Sequence, residues 1–175
     1  LMEAGHDIVQ VYSRTMASAQ AAATVMGAAP TDRLDCVIKD ADVYLLAIKD
    51  AALAEVIPVL CKGREQKVFL HTAGSVEMDV FKGMALHYGV LYPMQTFSKE
   101  RKVAFEDIPC FVEANDELSM GRVRQLAEDV SRKVSVLSSA DRKYLHLAAV
   151  FACNFTNHCY ALAADILERH GMDFS

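Results

Sequence analysis

Three consecutive residues, Ser13, Arg14 and Thr15, could hold the phosphate of a nucleotide. They follow an apolar run that predicts a β-strand and precede an Ala-rich run that predicts an α-helix. At this place in a dinucleotide-binding fold the chain meets the adenosine ribose, where an acidic residue favours the 2′-hydroxyl of NAD and an arginine favours the 2′-phosphate of NADP. Because Arg14 is present and a carboxylate is not, the sequence favours NADP. The alternative is a solvated loop arginine.

A second group consists of Ala47, Ile48 and Lys49, followed by Asp50. An apolar run of strand length precedes the group and a helix-forming run follows it. Backbone N–H groups of a helix N-terminus and one cation would therefore face a ligand, and we predict that these residues lie beside the cofactor or substrate. The alternative is an exposed lysine and an aspartate that caps the helix.

The third group is a turn of small residues, Thr72, Ala73, Gly74 and Ser75, which follows His71 at the end of a predicted strand. Small side chains allow a ring or a phosphate to approach the backbone, and His71 or Thr72 could hydrogen-bond to it. We therefore predict a second stretch of cofactor contacts here. A plain turn without a ligand is the alternative.

The fourth group, residues 92–98, runs from Tyr92 to Ser98 and combines aromatic and polar side chains at another predicted strand end, which is not typical of a protein core. In an open parallel sheet, ligands bind at the carboxyl ends of the strands, near the point where the strand order reverses. All four groups are therefore expected to border one crevice.

A polar stripe formed by His146, Asn154 and Asn157 lies on a predicted helix whose other residues are mostly apolar. The three fall within about 80° on a helical wheel. An unpaired buried polar group costs about 1–3 kcal/mol, so these side chains must be paired or functional. One interpretation is hydrogen bonding across a helix or dimer interface. The other is an active-site wall, with His146 as proton donor or acceptor and the two asparagines orienting the substrate.

Alternating strands and helices must position these groups. Strands are predicted at 7–12, 43–48, 68–71, 89–93, 110–113 and 134–137, and helices at 16–26, 51–60, 78–87, 116–131 and 141–170. This alternation predicts an α/β fold with a doubly wound, mostly parallel sheet of the Rossmann type. We expect residues 1–138 to be an NADP-binding domain that lacks its first strand and Gly-rich loop, and residues 139–175 to be the first helix of an all-α domain.

The composition narrows the classes of function. The 175 residues are 53% hydrophobic and carry a net charge of −5, which argues against nucleic acid as a partner. The longest wholly apolar run, residues 147–153, is too short to span a membrane, and no secretory signal opens the sequence. Five scattered cysteines without metal-ligand spacing indicate reduced thiols and predict no metal site. We expect a cytoplasmic protein.

Several stretches together resemble a known family. They are EAGHDIVQVYSRT, DADVYLLAIKDAALAEV, HTAGS, YPMQTFSKER and RKYLHLAAVFACNFTNH. They resemble an uncharacterised bacterial family of Rossmann-like proteins with a helical C-terminal domain of unknown function, and more distantly pyrroline-5-carboxylate reductase, the β-hydroxyacid dehydrogenases and prephenate dehydrogenase. The resemblance implies an NADP-dependent oxidoreductase that transfers a hydride between NADP(H) and a small polar metabolite and forms a homodimer through its C-terminal helices.

The sequence departs from these relatives in two ways. Residues 1–6 are predicted to be the last turn of a helix that ends at Gly5. The G-x-G-x-x-G turn of these relatives would precede that helix and is not present here. β-Hydroxyacid dehydrogenases place a lysine four residues before an asparagine on the helix after the Rossmann domain, whereas Val150 and Cys153 precede Asn154 and Asn157 by four residues. This departure argues against hydroxyacid oxidation. The rival hypothesis is a non-catalytic nucleotide-binding or sensing protein that dimerises through its helices. A flavin or deazaflavin partner is a third.

Overall fold

Strands and helices alternate along most of the chain in the computed structural model, which describes residues 1–97 and 103–174. The strands are β1 (Gln10–Tyr12), β2 (Ala29–Thr31), β3 (Val43–Leu46), β4 (Val68–His71), β5 (His87–Pro93), β6 (Cys110–Ala114) and β7 (Val134–Val136). The α-helices are α1 (Met16–Met26), α2 (Asp50–Cys61), α3 (Glu117–Glu128), α4 (Ser139–Ala149) and α5 (Thr156–Arg169). A π-helical stretch, Val150–Phe155, joins α4 to α5.

The strands form two sheets. Five pair in the order β3-β4-β5-β6-β7, and their neighbours are parallel except for β5 and β6. Strands β1 and β2 form a separate parallel pair. The doubly wound Rossmann sheet has its strands, numbered along the chain, in the order 3-2-1-4-5-6. Here β1 and β2 correspond to strands 2 and 3 of that sheet, and β3, β4 and β5 correspond to strands 4, 5 and 6. None of the described strands corresponds to strand 1. The predicted Rossmann-type α/β fold is confirmed.

Helix α1 begins and ends where its flanking residues indicate. The hydroxyl oxygen of Thr15 accepts a hydrogen bond from the backbone N–H of Ser18 at 3.4 Å, which caps the N-terminus. Gly27 ends the helix in the left-handed region at φ 64°, a conformation that glycine adopts without the steric cost of a side chain. Ala19 and Ala23 lie one turn apart on the buried face. Helix α1 therefore follows directly from β1 and fixes the start of the loop between them.

The central strand β4 is buried along its whole length, which agrees with its continuous apolar run. The Phe69 ring stacks on Tyr44 of β3 with centroids 4.9 Å apart, and Leu53 and Ile57 of α2 belong to the same buried cluster. Leu53 and Ile57 are four residues apart and so face the sheet together. This packing fixes the level at which β3 and β4 end, since Leu46 pairs with His71.

The C-terminal helices extend from the sheet with a mostly exposed apolar surface. The Ser138 hydroxyl accepts a hydrogen bond from the Asp141 backbone N–H and caps α4. Leu147, Phe151 and Ile166 are each more than half exposed. The predicted helix over 141–170 is helical as far as Arg169, but a π-helical stretch interrupts it. The domain boundary at residue 138 stays a prediction. None of the described helices is both long and apolar enough to cross a bilayer.

The prediction of a helix over 78–87 is wrong. Only Met78–Phe81 form a single 3₁₀ turn, and strand β5 already begins at His87. Gly83 takes φ 79°, a left-handed conformation that a continuing α-helix does not allow. Local sequence favoured a helix here, but the left-handed conformation of Gly83 is incompatible with its continuation.

Two smaller differences concern the first sheet. Strand β1 is shorter than predicted, because residues 7–9 lie outside the ladder. Strand β2 was not predicted, since its three residues include Pro30, which is rare inside strands. Pro30 is tolerated because β2 has only one paired neighbour, β1, among the described strands.

Candidate functional site

The loops after β3 and β4 lie side by side. The Thr72 backbone N–H donates to the Leu46 carbonyl oxygen at 3.3 Å. The hydrogen bonding between β3 and β4 therefore continues into the loop after β4. The Ser75 hydroxyl donates to the Asp50 carboxylate at the start of α2. The second and third groups of the sequence analysis are therefore joined at one edge of the sheet. Their cofactor contacts stay a prediction.

The side chains of these two loops differ in exposure. Ala47, Lys49 and Ser75 are exposed, Ile48 and Thr72 are half-buried, and Ala73 and Gly74 are buried. Helix α2 starts at Asp50 with Lys49 in the N-cap position and no side-chain cap, so the alternative in which Asp50 is the cap is wrong. Backbone N–H groups of the first turn of α2 are left for other acceptors.

His146 of α4 lies against the ends of β4 and β5. Its Nδ1 is 3.0 Å from the hydroxyl oxygen of Tyr92, and the two rings meet edge to face with centroids 5.9 Å apart. A Cβ atom at Gly74 would lie 2.5 Å from Nδ1 of His146 and 2.9 Å from Cε2 of Tyr92. Gly74 therefore provides the space in which the two rings meet. Burial raises the pKa of Tyr92, so its hydroxyl stays protonated at neutral pH.

A cavity of about 180 Å³ opens beside this pair of rings. Tyr92, Met94, Gln95 and Thr96 line it from the sheet. From the helix side its wall comprises His146, Ala149, Val150, Cys153 and Asn154. The cavity thus combines amide and hydroxyl groups with apolar surface, as small-molecule sites do.

The three residues of the predicted polar stripe do not share one environment. His146 and Asn154 both line the cavity, but Asn157 is exposed and is not part of the lining. The π-helical stretch between His146 and Asn157 widens the turn, so the angular positions calculated for a regular α-helix do not apply. Stretches of this kind are frequent at functional sites.

The segment that includes Ser13, Arg14 and Thr15 stands at the end of β1. The backbone N–H of Ser13 donates to the Thr31 carbonyl oxygen at 3.1 Å, and Thr15 caps α1. Arg14 is exposed, and its guanidinium forms no hydrogen bond or ion pair with the described residues. A free guanidinium at a strand end, next to a helix N-terminus, fits a phosphate. No hydrogen bond or ring contact among the described residues joins this segment to His146.

His71 does not face the crevice, because its side chain is completely buried. Its Nδ1 accepts a hydrogen bond from the Ala73 backbone N–H at 3.1 Å, so the ring shapes the turn rather than meeting a ligand. Burial, with a smaller effect of the Arg142 charge, lowers its pKa from 6.5 to about 4. His71 is therefore neutral at physiological pH.

A buried ion pair fastens α4 to the sheet. Arg142 is completely buried, and its Nη1 is 2.6 Å from Oε2 of Glu113 on β6. Its Nη2 donates to the Val76 carbonyl oxygen at 2.6 Å. Ser139 donates to both carboxylate oxygens of Glu113. Because His146 follows Arg142 by four residues, this pair sets the level at which the imidazole meets Tyr92.

Three residues have roles in the site that were not predicted from the sequence. Tyr92 was only noted as part of a polar strand end, Asp50 was only considered as a cap, and Arg142 was not singled out. The polar run after β5 was a usable signal for Tyr92. Nothing local distinguishes a buried arginine in a first helical turn from an exposed one. Ser98, from the fourth group, lies outside the described residues, within which no cluster of three or more metal-ligating side chains exists.

Two family models match the chain. One, described as a Rossmann-like domain, matches residues 1–93, and the other, a domain of unknown function (DUF2520), matches residues 108–175. No protein with a curated functional description matches. The resemblance to an uncharacterised Rossmann-like family with a helical domain of unknown function is thereby confirmed.

Solved structures share the fold. A candidate NADP oxidoreductase from Bacteroides fragilis is 46% identical with a TM-score of 0.93, over 98% of this chain and 67% of that one. A prephenate dehydrogenase from A. aeolicus, in complex with hydroxyphenyl propionate and NAD⁺, is 15% identical with a TM-score of 0.73, over 97% and 63%. An imine reductase from Myxococcus stipitatus, in complex with NADP⁺, is 14% identical with a TM-score of 0.70, over 95% and 60%.

The last two similarities are of fold alone, given their low sequence identity. The chain spans between 60% and 67% of the length of these three structures. The Bacteroides fragilis protein, at 46% identity, supports an oxidoreductase in general.

Proposed function

The chain belongs to the Rossmann-like domain family, and we propose that it is an NADP-dependent oxidoreductase that transfers a hydride between NADP(H) and a small polar metabolite. One observation carries this proposal. A titratable ring from the helical part, His146, meets the small-residue turn after β4 and borders a cavity. In this class of sheet the strand ends are where ligands bind, so a proton donor stands where a hydride acceptor would be held.

The described residues suit NADP at two places. Ser13 and Arg14 would hold the 2′-phosphate, with Thr15 at the start of α1, because the Arg14 guanidinium is exposed and has no partner among the described residues. Ala47, Ile48 and Lys49 would line one side of the crevice. The turn from Thr72 to Ser75 would line the other, where the buried Gly74 lets a ring come close. When bound, the cofactor supplies or accepts the hydride.

Within the cavity, His146 is the proton donor or acceptor, because a neutral imidazole has one donor nitrogen and one acceptor nitrogen. Asn154 lines the same cavity and orients the substrate through its amide. Asn157 has the same role in the proposal. It is exposed in this chain, and the proposal requires a partner subunit to complete the part of the site in which Asn157 meets the substrate.

We also propose a quaternary structure, a cellular location and a class of partner for the protein. The exposed apolar surface of α4 and α5 supports a homodimer formed through the C-terminal helices. A net charge of −5 and reduced cysteines support a cytoplasmic enzyme that acts on a small molecule, with neither nucleic acid nor a membrane as partner. The candidate NADP oxidoreductase of Bacteroides fragilis, at 46% identity, supports NADP rather than NAD.

One feature favours a second function, a non-catalytic nucleotide-binding or sensing protein that dimerises through its helices. Val150 lines the cavity at a position where β-hydroxyacid dehydrogenases would carry a lysine. His146 and the cavity favour the enzyme, because a pure dimer interface requires neither.

The experiment that separates these functions measures NADPH oxidation by the full-length protein across a panel of small carbonyl and imine compounds. For any compound that is reduced, His146→Ala should abolish turnover and change the affinity for NADPH by no more than a few-fold. His170→Ala, at an exposed histidine just after α5, is the control and should keep wild-type turnover. Unchanged turnover in His146→Ala removes His146 from the mechanism, and NADPH binding without turnover of any compound favours the sensing function.

A further inference from the structure

The direction of the hydrogen bond between Tyr92 and His146 follows from the surroundings of the tyrosine. Tyr92 is 7% exposed, and His146 Nδ1, at 3.0 Å, is the hydrogen-bond partner of its hydroxyl among the described residues. Burial raises the pKa of this hydroxyl, so it carries its proton at neutral pH. A buried O–H group without an acceptor costs free energy, and Nδ1 is the acceptor within reach. The hydroxyl therefore donates and Nδ1 accepts.

We infer that this hydrogen bond fixes the neutral tautomer of His146 that carries its proton on Nε2, and that His146 thereby donates from Nε2 to the carbonyl or imine group of a substrate that is to be reduced. The two nitrogens of a neutral imidazole have opposite roles, so an accepting Nδ1 requires a donating Nε2. Nε2 stands on the opposite edge of the ring and has no hydrogen-bond partner among the described residues. Its N–H is available to a ligand in the cavity that His146 lines.

The close approach of Gly74 makes a flip of the His146 imidazole unfavourable. With Nδ1 wedged between the Tyr92 hydroxyl and the Gly74 backbone, a ring flip would place a carbon atom against the hydroxyl and lose the hydrogen bond. The turn after β4 and the end of β5 thus act together on one atom of His146. Tyr92 is a positioning residue in this account, because it acts through His146.

The inference rests on the proposed function and deepens it by naming the direction of reaction and the class of substrate. A neutral histidine N–H can polarise a carbonyl, as in known isomerases. As a hydride from NADPH adds to the carbon of the C=O or C=N bond, the electron pair of that bond moves to oxygen or nitrogen, which takes the Nε2 proton. Nε2 then regains a proton from water, which is left as hydroxide, while the Tyr92 hydroxyl keeps its proton and its hydrogen bond to Nδ1. The products are an alcohol or amine and NADP⁺.

The side chains that line the cavity suit this class of substrate. The described lining of the cavity carries amide, hydroxyl, thiol and apolar side chains, among them Gln95, Asn154 and Val150. An uncharged carbonyl or imine compound with a small apolar substituent matches this lining better than a charged compound does, because a buried charge requires a partner of opposite charge.

The test is ¹⁵N NMR of the full-length protein labelled at histidine, recorded at pH 8, with the His146 signal assigned by its loss in His146→Gln. We expect the wild type to show a pyrrole-type Nε2 and a pyridine-type Nδ1. Tyr92→Phe should convert the signals to a mixture of tautomers and lower turnover at least ten-fold, with NADPH affinity within three-fold of wild type. Tyr88→Phe, at a buried tyrosine four residues earlier on β5, should change neither.

Two results would overturn the inference. A proton on Nδ1 in the wild type contradicts the direction of the hydrogen bond. An unchanged tautomer in Tyr92→Phe contradicts the role of Tyr92. Lack of NADPH binding is a separate result, which removes the proposed function and leaves the tautomer measurement to decide the hydrogen bond by itself.

Discussion

Arg142 Nη1 lies 2.6 Å from Glu113 Oε2, and this ion pair joins the first turn of α4 to strand β6. The side chains are 1% and 17% exposed, so little solvent screens them. A pair of this kind is weak evidence for added stability, but the loss of one member leaves the other as an uncompensated buried charge.

The first prediction concerns this pair. Arg142→Met should lower the free energy of unfolding by about 3 kcal/mol, because Glu113 would remain charged without its partner. The double variant Arg142→Met/Glu113→Leu should lose less than Arg142→Met alone. Denaturant unfolding of each variant gives these values. As a control, Arg124→Ala removes an exposed pair with Glu128 and should cost at most about 1 kcal/mol; equal losses in both single variants contradict the account.

The second prediction concerns Gly74. A methyl group there overlaps the His146 ring, so Gly74→Ala should displace the imidazole and lower turnover at least ten-fold. Gly121→Ala is the matched control, because nothing lies within 4 Å of a Cβ at that helical position. The control should be stabilised by about 0.5–1 kcal/mol through its helix propensity. A crystal structure of Gly74→Ala with His146 unmoved would refute the close packing.

The third prediction concerns pH. The folded-state pKa of His71 is about 4, against 6.5 for an exposed histidine, so the unfolded chain binds a proton between these values and the folded chain does not. Stability is therefore fully present above pH 6.5 and falls as the pH drops to about 4, by roughly 3 kcal/mol. His71→Asn retains an acceptor for the Ala73 N–H without titrating, and its unfolding free energy should fall less over this window. Equal slopes for both proteins rule out His71 as the cause.

Much of the fold was predictable from the sequence, because the buried strands are continuous apolar runs and the caps of α1 are local. The predicted bounds of that helix, 16–26, are confirmed, and Thr15 and Gly27 cap its two ends. The short strand β2 and the turn at Met78–Phe81 were not predictable, since strand pairing and a left-handed glycine override local preference.

The candidate site was predictable only as a set of strand ends. The sequence indicated the small-residue turn at Gly74 and selected His146 on the helix. The partners of these residues depend on contacts far apart in the chain: Tyr92 and His146 are 54 residues apart, and Arg142 and Glu113 are 29 apart. The π-helical stretch, which separates the environment of Asn154 from that of Asn157, has no signature in local propensity.

The central claim is that this Rossmann-like protein uses NADP, and calorimetric titration of the full-length protein with NADPH and NADH tests it most directly. We predict tighter binding of NADPH, and loss of that preference, by about 10- to 100-fold, in Arg14→Asp, because a charge-assisted hydrogen bond to the 2′-phosphate contributes about 1.5–3 kcal/mol. Arg122→Asp, at an exposed arginine of α3, should keep the preference. Binding of neither nucleotide, or a preference unchanged in Arg14→Asp, would contradict the account.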